Sequence, residues 1–178
     1  MKTPAQIKIT ILYLRAVALL CVAGSFSTVA CVGNNPRQTV RLEFRHSTVR
    51  VEYGRPSLRG RDPLKLIEPG QLWRLGADAP TTIEADRDLD FGGVRVPKGR
   101  HILIVRFIQP GSWSLVVSTT PAIDYAPSAR IAEVLMRFEG SRHPVQELEI
   151  HLSSAKGHGA IKIAWGAYRL SAQFVPAQ

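Results

Sequence analysis

The sequence predicts an all-β protein, an antiparallel β-sandwich or a barrel-like sheet with at most one short helix. Apolar and polar residues alternate along several segments, and two further segments are almost uniformly apolar. Glycine and proline turn signals separate these runs at short intervals. Many short strands joined by such turns are typical of sandwiches and barrels.

The alternation is clearest in three segments. In STVRVEY, the side chains of Val49, Val51 and Tyr53 share one face of the predicted strand. The segments VQELEIHL, residues 145–152, and AIKIAWGAYRL, residues 160–170, repeat the same period of two. Each therefore predicts a strand with one face against a core.

The more uniformly apolar segments are HILIVRF, residues 101–107, and WSLVVST, residues 113–119. They predict central strands that are covered on both faces. Between them, QPGSW predicts a hairpin turn, because proline presets one turn dihedral and glycine permits positive φ. Residues 129–138 fit either a short helix or a strand, and the pattern does not decide between the two.

The N-terminal residues indicate an export signal followed by a tether. Basic residues come first, then an apolar run over residues 16–24, then small residues, which is the order of a secretory signal. The apolar run is shorter than the roughly 20 residues of a spanning helix, so a transmembrane anchor is the second choice. We predict a signal peptide over 1–30, a tether over 31–38 and one domain over 39–178.

Cys31 adds a membrane alternative. Thr28-Val29-Ala30-Cys31 is similar to the lipobox of bacterial lipoproteins, in which the cysteine is acylated. Acylation would attach the protein to a membrane, whereas simple cleavage nearby would release it, and both stay open. The protein is in either case expected outside the cytoplasm, in the periplasm or anchored at the bacterial cell envelope. The only other cysteine, Cys21, lies in the signal, so cleavage would leave the domain without thiol chemistry or a disulfide.

The charge of the chain favours anionic partners. The formal net charge is +9, and removing the N-terminal Lys2, Lys8 and Arg15 from 23 basic residues leaves 20 against 14 acidic ones, or +6. Such an excess suits an anionic small molecule, an acidic glycan or phospholipid head groups. A nucleic acid is not predicted as partner, because the charge is spread out and no recognition-helix or RNP-like pattern occurs.

Arginines concentrate in one segment, YGRPSLRGR…PGQLWRLGADAPTTI, residues 53–83. The segment resembles a family of exported bacterial proteins known as domain of unknown function 2911. The matching positions are Tyr53, Gly54, Arg55, Pro56, Ser57, Arg59, Gly60, Arg61, Pro69, Trp73, Arg74, Gly76, Ala77, Thr81 and Thr82. Asp78 stands where the family pattern has asparagine. The resemblance implies an exported β-domain and no assigned reaction.

The same segment supplies the candidate ligand site. A guanidinium presents five donors in a fixed fork that suits carboxylate and phosphate oxygens, so converging arginines would hold an anion. The predicted ligand-binding residues are Tyr53, Arg55, Arg59, Arg61, Trp73, Arg74, Thr81 and Thr82. In the alternative interpretation, the arginines stabilise loops through backbone carbonyls and through nearby acids. Those nearby acids are Asp62, Glu68, Asp78 and Glu84.

The preferred function is a non-catalytic module that binds an anionic or carbohydrate-like ligand. An envelope hydrolase using the same cleft and a structural interaction domain are the alternatives. No cofactor and no metal are predicted: EADRDLD, residues 84–90, has no EF-hand glycine or bidentate spacing. Ser57 lacks the strand-to-helix elbow of hydrolases, and catalytic residues stay unassigned. Convergence of Arg55, Arg61 and Arg74 on one concave pocket would favour binding.

Overall fold

Ten antiparallel strands make up most of the computed structural model, which describes residues 35–62, 65 and 67–177. The predicted signal peptide, residues 31–34 of the tether and the lipid attachment at Cys31 lie outside the described residues. Within the described residues, no helix has the length and apolar character needed to span a bilayer.

The strands vary from two to 26 residues in length. Their bounds are β1 Arg37–Phe44, β2 Ser47–Gly54, β3 Leu72–Trp73, β4 Thr82–Ala85, β5 Leu89–Phe91, β6 Val94–Val96, β7 Gly99–Gln109, β8 Ser112–Ser118, β9 Arg130–Ala155 and β10 His158–Pro176. Two 3-10 turns, Ala122–Asp124 and Pro127–Ala129, lie between β8 and β9. The segment for which the sequence allowed a helix is therefore strand from Arg130 onward.

The sheet has the strand order β1-β2-β4-β7-β8-β9-β10-β5-β6, and β3 pairs with β7 beside this path. The sheet is not closed into a barrel but folds over as a sandwich. Strand β9 pairs with β8 through its first residues and with β10 through the rest, so it belongs to both layers. The loop after β2 also joins the layers, since Ser57 bridges to Glu147 of β9.

One hydrophobic core lies between the layers. Val49, Val51 and Tyr53 of β2 are buried within it, which confirms the predicted alternation. Strands β7 and β8 are covered on both faces, as expected from their uniformly apolar sequences. Ile104 and Val116, which pair with each other on the opposite face from the core, are fully buried.

A polar cluster holds the β8–β9 connection against the sheet. Glu133 Oε1 accepts hydrogen bonds from Ser114 Oγ at 2.6 Å and from Arg106 Nε at 2.9 Å, and Oε2 accepts one from Arg130 at 2.8 Å. Burial alone would raise the pKa of Glu133, but these three donors outweigh burial and lower it. The Arg106 guanidinium also lies over the ring of Tyr125, 5.7 Å from its centroid. The connection thereby keeps a fixed position beside β7.

Candidate functional site

A cavity of about 740 Å³ lies where β3, β7 and β10 meet the β8–β9 connection. The lining residues are Ile67, Gln71, Leu72, Trp73, Arg74, Asp78, Pro80, Ile102, Ile104, Trp113, Pro121, Ala122, Ile123, Ile163, Trp165, Tyr168 and Leu170. Most of these side chains are apolar or aromatic. A cavity of this size and character suits a small organic molecule.

All three tryptophans of the chain line this cavity. Trp73 and Trp165 stack with ring centroids 5.1 Å apart and planes 7° apart. Trp113 packs against Phe107 at 4.4 Å. The indole N–H groups of Trp113 and Trp165 are buried and find no acceptor among the described residues. These rings are therefore held by packing rather than by hydrogen bonds.

Aliphatic side chains extend the apolar surface from the tryptophans to the opening. Ile102 and Ile104 come from β7 and Ile163 comes from β10. Ile123 stands on the first 3-10 turn and is 91% exposed, although it also lines the cavity. An exposed isoleucine at this position gives an apolar occupant a contact on the solvent side as well.

Arg74 is the arginine of the lining. Its side chain is exposed, and it makes no hydrogen bond or ion pair with any other residue of the described part of the chain. Among the described residues the guanidinium thus has no partner, and it lies exposed beside a mainly apolar cavity. Opposite charge is also present, since the exposed Asp78 lines the same cavity and accepts a hydrogen bond from Asn35 Nδ2 at 3.1 Å.

Tyr168 is a further polar group of the lining. Its hydroxyl donates to Asp62 Oδ1 at 3.2 Å. Burial, and then the Asp62 carboxylate, raise the pKa of Tyr168 above its usual value of 10.0. The phenol accordingly stays protonated at neutral pH, as a donor that is already engaged.

The loop between β3 and β4 is built to hold Arg74 and Asp78 in place. Leu75 is fully buried at φ 53° and Asp78 has φ 61°, values that non-glycine residues rarely adopt. Thr81 Oγ1 donates to the Leu75 carbonyl oxygen. A Cβ atom added to Gly54 would lie 2.1 Å from the Ala77 carbonyl oxygen, so the loop packs directly on the β2 backbone. These contacts fix the loop conformation.

The chain matches a family described as a protein of unknown function (DUF2911) over residues 35–174. The chain belongs to this family. The match confirms the family that the arginine-rich segment resembles. No curated protein and no solved structure matches the chain. Of the residues that carry the family resemblance, Trp73 and Arg74 line the cavity.

The remaining aromatic and hydroxyl residues of the predicted site lie elsewhere in the DUF2911 domain. Tyr53 is buried in the core, where its hydroxyl donates to Gln38 Oε1 at 2.9 Å and accepts from the Ile150 N–H at 3.0 Å. Thr81, the last residue of the β3–β4 loop, is buried, and Thr82 begins β4. Their ligand roles stay predictions, and their observed contacts are structural.

Of the four predicted arginines, three also lie outside the cavity lining. Arg55 pairs with Glu147 at 3.1 Å and Glu149 at 3.3 Å, and its Nε donates to the Leu148 carbonyl oxygen. Arg61 Nε donates to the Leu58 carbonyl oxygen at 3.1 Å. Arg59 is exposed with φ 49° and is outside the cavity lining. Arg55, Arg61 and Arg74 therefore do not converge on one pocket.

Sequence reasoning did not identify the other half of this cavity. Trp165 lies on β10 within the first of two register shifts in its pairing with β9, and Tyr168 is the first paired residue after the second. Ile123 lies on a turn for which the sequence gives only a proline signal. Trp113 and Trp165 stand in segments that the sequence predicts as strands, but no local signal places them beside Trp73. No group of three or more His, Cys, Asp or Glu in the described residues is placed to hold a metal ion.

Proposed function

We propose that this DUF2911 domain is a binding module for a small organic anion with an apolar body. The observation that carries the proposal is Arg74, an exposed guanidinium that has no partner in the described part of the chain and lines a cavity of tryptophan and isoleucine side chains. The apolar body occupies the cavity, and the anionic group meets Arg74. As part of the proposal, the domain is exported by residues 1–30 to the cell envelope, with or without a lipid on Cys31.

The apolar body and the anionic group of the ligand contribute to binding in different ways. Burying apolar surface contributes roughly 25 cal/mol per Å², which provides affinity without orientation. A hydrogen bond to a charged group contributes about 1.5–3 kcal/mol and fixes one end of the ligand. Since no described residue pairs with the Arg74 side chain, the ligand does not have to break an ion pair within this part of the protein.

The cavity suits an apolar body better than a sugar. Trp73 and Trp165 stack on each other. The polar side chains of the lining are Gln71, Arg74, Asp78 and Tyr168, and the Tyr168 hydroxyl already donates to Asp62. A carbohydrate brings many hydroxyls that need partners, and few groups here are free to pair with them.

Ligand titration followed by tryptophan fluorescence tests the proposal directly, because all three tryptophans line the cavity. Two carboxylates, phenylpropionate and octanoate, are titrated into the full-length protein beside their uncharged amides. Both carboxylates are expected to bind more tightly than the amides. Arg74→Ala should weaken the carboxylates about 10- to 100-fold and leave the amides unchanged.

Arg87→Ala is the matched control, since Arg87 is an exposed arginine outside the lining. It should bind like the unmodified protein. Equal affinity for acids and amides, or an Arg74→Ala variant that behaves like the control, would refute the proposal. Cleavage of an ester analogue of these acids, lost in Asp78→Asn, would instead favour the hydrolase alternative in the same cleft.

A further inference from the structure

The opening of the cavity presents two opposite charges that do not neutralise each other. Arg74 and Asp78 are both exposed, both line the cavity, and lie on the same loop. Within the described residues, no ion pair forms between them.

The loop backbone sets where the two charged side chains begin. Leu75 at φ 53° turns the chain directly after Arg74, and Asp78 has φ 61°. Both turns are held from below, by the hydrogen bond from Thr81 to the Leu75 carbonyl and by the contact of Ala77 with Gly54. The backbone from which the two charged side chains leave the loop is therefore held by buried contacts.

The Asp78 carboxylate is also held in orientation. Asn35 Nδ2 donates to its Oδ2, and no described residue donates to Oδ1. A neutral amide donor orients the carboxylate without neutralising its charge. One oxygen thus remains as an acceptor for a cationic group that enters the cavity opening.

We propose that the ligand is a hydrophobic zwitterion, with its ammonium group at Asp78, its carboxylate at Arg74 and its apolar body among the tryptophans. Amino acids with apolar side chains and short apolar peptides have this chemistry. The inference rests on the proposed function for the place of the carboxylate and adds a second charged group to the ligand.

Electrostatics predicts the order of preference. A simple anion that reaches Arg74 also meets the negative charge of Asp78, which lowers its affinity. An ammonium on the same molecule converts that repulsion into an attraction. The substitution Asp78→Asn removes both effects, so it should weaken zwitterions and strengthen simple anions. A merely structural role for Asp78 would weaken both ligand types alike.

Four probes separate the contributions: phenylalanine, phenylpropionate, phenylethylamine and phenylalanyl-phenylalanine. Each is titrated into the full-length protein with indole-selective excitation. Phenylalanine or the dipeptide is expected to bind about tenfold more tightly than phenylpropionate. Whichever of the two binds more tightly shows whether the ligand is a free amino acid or a peptide. In Asp78→Asn the zwitterion should lose about tenfold and phenylpropionate should gain severalfold, which reverses their order.

Asp124→Asn is the control, because Asp124 is an exposed acid next to Ile123 but outside the lining. It should keep the original order. If phenylpropionate binds through Arg74 and the zwitterions bind no better, the zwitterion is excluded while the proposed function stands. If phenylethylamine binds best, or no probe binds, the proposed function fails as well.

Discussion

Gly54 of β2 and Ala77 of the β3–β4 loop are in direct backbone contact. A Cβ atom on Gly54 would lie 2.1 Å from the Ala77 carbonyl oxygen and 3.0 Å from its carbonyl carbon. No L-residue with a side chain fits there unless one of the two backbones moves. The loop that carries Arg74 and Asp78 is therefore seated on a strand of the core, and the cavity opening depends on a glycine that does not line it.

The contact predicts that Gly54→Ala is strongly destabilising. Overpacking of a close backbone contact costs about 1–3 kcal/mol, which corresponds to roughly 2–12 °C in Tm for a domain of this size. Thermal unfolding measures it. Gly140→Ala is the control, because a Cβ atom at Gly140 meets nothing within 4 Å. Equal midpoints for the two variants would show that the loop moves away at no cost.

Tyr53 should act on stability and not on ligand affinity. Tyr53→Phe leaves the buried Ile150 N–H without its acceptor, and an unsatisfied buried donor costs about 1–3 kcal/mol. Chemical denaturation of the full-length protein measures the loss. Gln38→Ala, which removes only the exposed partner of the same hydroxyl, should cost less. If Tyr53→Phe keeps full stability and weakens ligand binding, Tyr53 is a ligand-binding residue and this prediction is wrong.

Arg55→Ala and Arg74→Ala should differ in their effect on the stability of the protein. Arg55→Ala removes a hydrogen bond to the Leu148 carbonyl and two partly exposed ion pairs, so about 1–2 kcal/mol of the unfolding free energy should be lost. Arg74→Ala removes no described contact and should stay within about 0.5 kcal/mol. Denaturation midpoints measured side by side decide this. A large loss of stability in Arg74→Ala would assign that residue to the scaffold.

Glu133 should make the thermal stability of the protein decrease in the acidic pH range. The folded pKa of Glu133 lies below the ordinary value of 4.5, because three hydrogen-bond donors outweigh burial. The ionised carboxylate therefore stabilises the fold above that value, and this stabilisation is lost as the pH falls through the folded pKa. Thermal midpoints of the unmodified protein and of Glu133→Gln should therefore differ most near neutral pH and approach each other below about pH 4. Ser114→Ala, which removes one donor, should give an intermediate curve. A constant gap across this range would contradict the assignment.

The strands were predictable because alternation is a local property. Val49, Val51 and Tyr53 show which face of β2 is buried before any partner strand is known. Residues 129–138 were not decidable, since their apolar spacing fits a helix and a strand alike. Pairing decides the matter, because Ala132 and Met136 lie opposite Val117 and Trp113 of β8.

The site was predictable only in part, because its other half is brought in by tertiary structure. Trp73 and Arg74 belong to a continuous motif, whereas Trp165 reaches Trp73 through an irregular stretch of β10. The partners of Arg55 illustrate the same limit. The sequence suggested nearby acids for the arginines, but Arg55 pairs with Glu147 and Glu149, which sheet folding brings from β9.

Strands β9 and β10 have a consequence for how the domain denatures. Residues 130–136 of β9 complete the layer that contains β8, while later residues of the same strand pair with β10 in the other layer. Neither layer can melt without withdrawing part of a strand from its neighbour. A single calorimetric transition, with equal van't Hoff and measured enthalpies, follows from this shared hairpin. Proteolytic nicking within β9 should accordingly abolish both layers at once rather than release one intact half.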